Sequence, residues 1–287
     1  MAALNSSQRF GAQTAAEKAL SFTLQENAVL PTAMIRYQWF DGDPVDVVNA
    51  LASYQNPDGG FGNRLEPDIH HPSSNPFAAR IAMQYLIALP EDSAPTMKSA
   101  LQQWLTANQH DDGDWHFSEE ARSGFLQPWF AAWEHPNLNP ACCVASLAAR
   151  LGIATEQMLL KVARLFEEKA SLNEAQAGEF YSLLPYVEYT AGVAPPNAEA
   201  WYERIAGRIV EMDSRNELED AEHFFTLALG GSPEIAMRIP EGLIARNVDS
   251  LLAEQQDDGG WPTPYDDAWR PWTTAGNMMI LADLSRQ

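Results

Sequence analysis

The chain has 287 residues, 46% of them hydrophobic, so it carries enough apolar material for a sizeable core and is not a disordered segment. Eighteen Lys and Arg stand against 39 Asp and Glu, and the formal charge of -21 disfavours a nucleic-acid backbone or an anionic membrane surface as a partner. The only cysteines are the adjacent Cys142 and Cys143, which suit a reducing compartment; no apolar run is long enough to span a membrane. A soluble, cytoplasmic protein without membrane insertion is expected.

In chain order, Gln13 to Gln25 reads as an amphipathic surface helix, and Val29 to Phe40 as a more apolar partner interrupted by Arg36 and Tyr37. A second surface helix, Pro44 to Tyr54, runs into Gln55-Asn56-Pro57-Asp58-Gly59-Gly60-Phe61. The same pattern, Gln-x-x-Asp-Gly-x-aromatic, returns at Gln109 to Trp115 and at Gln255 to Trp261. Its Asp-Gly step is a turn signal, because glycine accepts the positive φ that a Cβ opposes. Room remains between the second and third copies for two degenerate units.

Each motif is followed by a polar loop and a proline that opens a buried helix: Asn75-Pro76 before Ala78 to Leu89, Asn139-Pro140 before Ala141 to Leu151, and Arg270-Pro271 before Thr273 to Leu284. Surface helices Thr96 to Asn108 and Glu241 to Glu254 precede the second and third copies. The segments near 155–170, 176–190, 197–214 and 217–231 supply two further pairs, with Gly192 to Pro196 and Gly230 to Pro233 as punctuation. The sum is an all-α single domain, an α/α toroid of six outer and six inner helices spanning 1–287, because each unit can bury its apolar face only against its neighbours.

Repeated Gln-x-x-Asp-Gly-Gly-aromatic followed by a buried helix resembles the motif of squalene and oxidosqualene cyclases and of the β subunits of protein prenyltransferases. Asp58 to Gly62 followed by Leu65 to Asp68 is also similar to a bacterial group with Asp-Gly-Gly-Phe-Gly and Leu-Glu-Pro-Asp. The resemblance implies a working site in the central cavity and an apolar ligand such as an isoprenoid. The Asp-x-Asp-Asp acid motif of the cyclases is absent, as is the Asp-x-Cys of the prenyltransferase zinc site. No cofactor or metal is therefore assigned, although zinc or magnesium stays open, with Cys142, Cys143 and His223 as donors.

The loop Gly62 to Ser74 concentrates Glu66, Asp68, His70 and His71, two carboxylates and two imidazoles within six residues, as candidate catalytic groups. The loop after the second motif, unusually long for a connection, holds Trp115, His116, Glu119, Glu120, Trp129, Trp133, Glu134 and His135, and the third holds Tyr265, Asp266, Asp267, Trp269 and Trp272. Polar residues on otherwise buried helices, Arg36, Tyr37, Glu179, Tyr181, Glu188, Glu222 and His223, are expected to pair or to face a wet interior. Rotational repetition should bring Glu66 to His71, Trp129, Trp133, Trp269 and Trp272 to one mouth, where a small-molecule ligand is bound. The alternatives are a glycan-processing enzyme, with Glu66 or Asp68 paired to Glu134, Asp266 or Asp267, and a non-enzymatic ring.

Overall fold

The computed structural model describes residues 4–286. Among the described residues, sixteen α-helices and one 3-10 turn account for the regular structure, and there is no strand, only isolated bridges joining Gln55 to Phe61 and Ile69 to Leu126. The chain divides into two compact units: Leu51–Ile205, and the chain up to Ala50 together with the chain from Ala206 onward.

The first unit in chain order holds α1 (Ser6–Gln25), α2 (Val29–Trp39) and most of α3 (Pro44–Ala52). It is completed by the later part of α12 (Ala198–Ser214), then α13 (Ala221–Gly230), α14 (Pro233–Ala236), α15 (Glu241–Ala253) and α16 (Arg270–Ser285). The N-terminal α1 packs against α15 and α16, and α16 packs against both α2 and α13, so the two ends of the chain meet inside this unit. Gln8 fixes that meeting, donating to the Ala245 carbonyl at 3.0 Å and to Asp249 at 2.9 Å.

Unit Leu51–Ile205 contains α4 (Pro76–Ile87), α5 (Pro95–Asn108), α6 (Glu119–Ser123), α7 (Pro128–Ala131), α8 (Leu138–Arg150), α9 (Glu156–Lys169), α10 (Leu172–Ala177) and α11 (Phe180–Gly192). The middle of α8 is buried on every side, from Pro140 to Ala148, because it lies between α4 and α11 and also meets α9. Its Ala, Cys and Val side chains suit such close neighbours.

Two details add to the sequence reading. Asn137 caps a short turn ahead of the main run of α8, accepting from the Asn139 N–H at 3.2 Å, and Asn139 has non-helical angles, so that continuous helical backbone begins at Pro140. Proline disfavours the α region for the residue before it, which places the kink at Asn139. The long connection after the second motif is also not featureless, since α6 and α7 lie within it. Asn75 behaves as read, its side chain accepting from the Ala78 N–H at 2.9 Å ahead of Pro76.

The three motif copies build the same clasp. Gly59, Gly113 and Gly259 have φ of +91°, +96° and +94°. A Cβ there would also lie 2.3 to 2.6 Å from a carbonyl oxygen of Ala100 in α5, Lys161 in α9 or Lys18 in α1, respectively. Glycine is thus required by both angle and space. The motif glutamine spans the same junction: Gln55 donates to Gly59 and Met97 carbonyls, Gln109 to Gly113 and Met158, and Gln255 to Gly259 and Ala15, all at 2.9 to 3.1 Å. The aspartate accepts from the N–H two residues on, and the aromatic is buried, Trp115 and Trp261 donating from Nε1 to Leu105 and Leu251 carbonyls. Phe61, in the first copy, has no such donor.

Candidate functional site

In unit Leu51–Ile205 the motif turn leads into the 62–74 loop, whose neck is closed by Asn63 N–H to the Pro72 carbonyl at 3.1 Å and by Asn56 Nδ2 to the same oxygen at 2.9 Å. Between these ends the loop turns inward: Leu65, Glu66, Asp68 and Ile69 are all buried. A second loop holds it there, with Ile69 bridged to Leu126, the His70 N–H on the Phe125 carbonyl and the Gln127 N–H on the Asp68 carbonyl. Ile69, Phe77, Phe117, Ala121 and Phe130 form one apolar cluster with Trp133 against it, and the Phe77 and Trp133 rings meet edge to face at 5.1 Å. The first and second post-motif loops therefore do come together.

Glu66 is the outstanding group. Its Oε1 accepts the Asp68 N–H at 3.2 Å, and only 6% of the residue is exposed. Burial and then the neighbouring Asp68 carboxylate push its pKa up to about 8, and the backbone bond and the Arg80 charge only partly oppose this. At neutral pH Glu66 is consequently a neutral carboxylic acid that can donate a proton. Beside it Arg80 of α4 forms a two-pronged ion pair with Glu188 of α11, Nε to Oε2 at 3.0 Å with a second contact from Nη2 to Oε1. Burial opposes the Arg80 charge, but Glu188 more than restores it. Cys143 of α8 completes this wall; burial and Glu188 raise its thiol well above the ordinary value, so it is an inert thiol and not a nucleophile.

His70 is exposed with its ring against Phe125 at 4.6 Å, and His71 is half-buried, its Nδ1 bonded to Ser73. Trp129 and Glu134 are exposed, as are Glu179 and Tyr181 at the start of α11. Trp133 is half-buried in the aromatic cluster, and its Nε1 finds no protein partner. Of Glu179, Tyr181 and Glu188, only Glu188 faces the interior wall; its partner Arg80 is the sole charge in the apolar run Pro76 to Ile87.

The other unit has its own polar group. Glu222 of α13 is half-buried, and burial followed by Asp220 raises its pKa to about 8; a Cβ on Gly276 of α16 would meet its Oε1 at 3.3 Å. Next to it His223 Nδ1 faces Asp220 at 2.7 Å and Nε2 faces the Tyr265 hydroxyl at 3.1 Å. Burial opposes its charge, yet the bond to Asp220 with Glu222 and Glu219 nearby raises its pKa. Trp269 is half-buried, 6.0 Å from the Tyr265 ring, and its Nε1 has no protein partner, nor do both polar atoms of the Gln38 amide or Asn277 Oδ1. Arg36 is exposed, Tyr37 and Trp272 are half-buried, and exposed Asp266 caps the 3-10 turn by accepting the Ala268 N–H at 2.9 Å.

Among the described residues, one group of possible metal donors lies close together, Asp114, His116 and His135 of the second motif and its loop. Cys142, Cys143 and His223 are outside it. No helix is long and apolar enough to cross a membrane. Compared with protein-family models, curated proteins and solved structures, the chain matches none.

Proposed function

We propose that the chain processes an uncharged, sugar-like ligand by acid–base chemistry, with Glu66 as proton donor and Asp68 as its partner carboxyl group. The observation that carries this reading is the burial of Glu66 beside the Asp68 carboxyl group, which raises its pKa to about 8. A carboxyl group held protonated beside a second one is the usual equipment of glycoside cleavage. In this reading Asp68 provides the base or nucleophile, and the Arg80–Glu188 pair fixes the wall behind them. An isoprenoid ligand, the first implication of the repeat, calls instead for an aromatic lining, and Phe77, Phe117, Phe130 and Trp133 are engaged with one another as core.

The same proposal includes the closed toroid of six outer and six inner helices with the ligand in its centre. The repeated clasp supports it, since each copy ties its turn to a different surface helix, α5, α9 or α1. A cytoplasmic location belongs here too, supported by two free, buried thiols.

Incubation of the full chain with a mixed oligosaccharide library, read by native mass spectrometry and by release of reducing ends, tests the reading. Wild type is expected to bind and cleave, and Glu66→Gln to bind but cleave at least about 100-fold more slowly. Capture of a prenyl-chain mass in place of a hexose series would overturn the sugar reading, and undiminished cleavage by Glu66→Gln would overturn the role of Glu66.

A further inference from the structure

The second motif copy departs from the other two at one position. Where they have Gly60 and Gly260, it has Asp114. In the first copy a Cβ would meet Ser74 and Trp104 at 2.6 Å, and in the third Arg270 and Phe22 at 2.8 Å, whereas the second leaves room for a side chain. The carboxylate placed there is fully buried, and its two oxygens are aimed by backbone N–H groups, Trp115 to Oδ1 at 2.7 Å and Asn137 to Oδ2 at 3.0 Å.

Histidines converge on this carboxylate. His135 Nδ1 lies 2.6 Å from Asp114 Oδ2, with the Phe117 N–H 3.4 Å from its Nε2. His116 stacks on His135 with ring centroids 4.5 Å apart, and on its other face lies His110 at 3.8 Å. One donor atom each from Asp114, His116 and His135 falls within 4.8 Å of the others, and His116 Nε2 is 2.8 Å from Asp112 Oδ2. Two imidazole nitrogens and a carboxylate oxygen are the donor set of a borderline divalent cation, and calcium or magnesium would call for oxygens alone.

We propose that Asp114, His116 and His135 bind a divalent transition-metal ion of the zinc type, with water or Asp112 in the fourth position. In the metal-free protein a proton links each histidine to a carboxylate. On binding, each neutral ring gives up the N–H proton that faces its carboxylate and takes one from solvent on its other nitrogen, His135 Nε2 releasing the weak contact with the Phe117 N–H, so that the freed lone pair takes the cation in the place between nitrogen and oxygen. The required distances of about 2.0 to 2.2 Å to each donor need only small side-chain movements from the present cluster. The backbone bonds to Asp114 act as the outer support that such ligands ordinarily have.

The test is titration of the chelator-treated full chain with Zn²⁺ and Co²⁺, followed by calorimetry and by the visible spectrum of bound cobalt. One equivalent is expected, with the intense absorption of a four-coordinate cobalt site, and a Zn²⁺-dependent rise in Tm. His116 is partly exposed, so His116→Ala is expected to stay folded and to bind at least about tenfold more weakly; His70→Ala is expected to bind as wild type. The absence of saturable binding, or unchanged affinity in folded His116→Ala, overturns the proposal.

Discussion

At the scale of single residues, the buried ion pair carries the clearest consequence. Replacing Arg80 by Met leaves Glu188 buried without its partner, and such orphaned charges cost about 3 to 5 kcal/mol. Chemical denaturation should show a loss of that size for Arg80→Met and substantial recovery in Arg80→Met with Glu188→Met, two apolar side chains of similar bulk. A double variant no more stable than the single one would contradict the pairing. Glu66 and Asp68 were legible in the sequence because Leu-Glu-Pro-Asp-Ile-His-His crowds titratable groups into a loop fixed by proline. Arg80 was not, because its partner is 108 positions away and local pattern says nothing about such a distance. Direction was not legible either: proximity in sequence to Asp68 does not say which way a side chain points, and His70 turns outward while Glu66 and Asp68 are buried.

At the scale of elements, all twelve long helices follow from apolar periodicity and from the turn motif, since proline, Asn caps and Asp-Gly steps act locally. What the motif does was less visible. Its spacing marked a turn, but the carbonyls that the glutamine reaches belong to another helix, 42 residues on for Gln55 and 49 for Gln109. Gly113→Ala forces a Cβ to 2.6 Å from the Lys161 carbonyl oxygen at a φ of +96°, and a loss of about 2 kcal/mol or more is expected. Gln109→Ala removes the donor for two carbonyls and should cost about 1 to 3 kcal/mol. Urea midpoints measure both, and Gly152→Ala, where a Cβ meets nothing within 4 Å, is the comparison for strain from positive φ alone. Equal losses for Gly113→Ala and Gly152→Ala would remove the close approach from the explanation.

At the scale of the whole molecule, titration of the interior groups is read in the stability of the chain. Glu66 has a folded pKa near 8 against an ordinary value of 4.5. Between these values the folded state holds a proton that the unfolded chain releases, so the stability due to this group is fully present below pH 4.5 and is lost as pH rises to about 8. The most direct measurement is therefore the unfolding free energy of wild type and Glu66→Gln as a function of pH across that window. The neutral, buried acid predicts that the advantage of the glutamine variant grows by about 1.4 kcal/mol for each pH unit and levels off above about pH 8. Two parallel profiles would mean that Glu66 is ionised throughout, and the proton donor on which the functional reading stands would not exist.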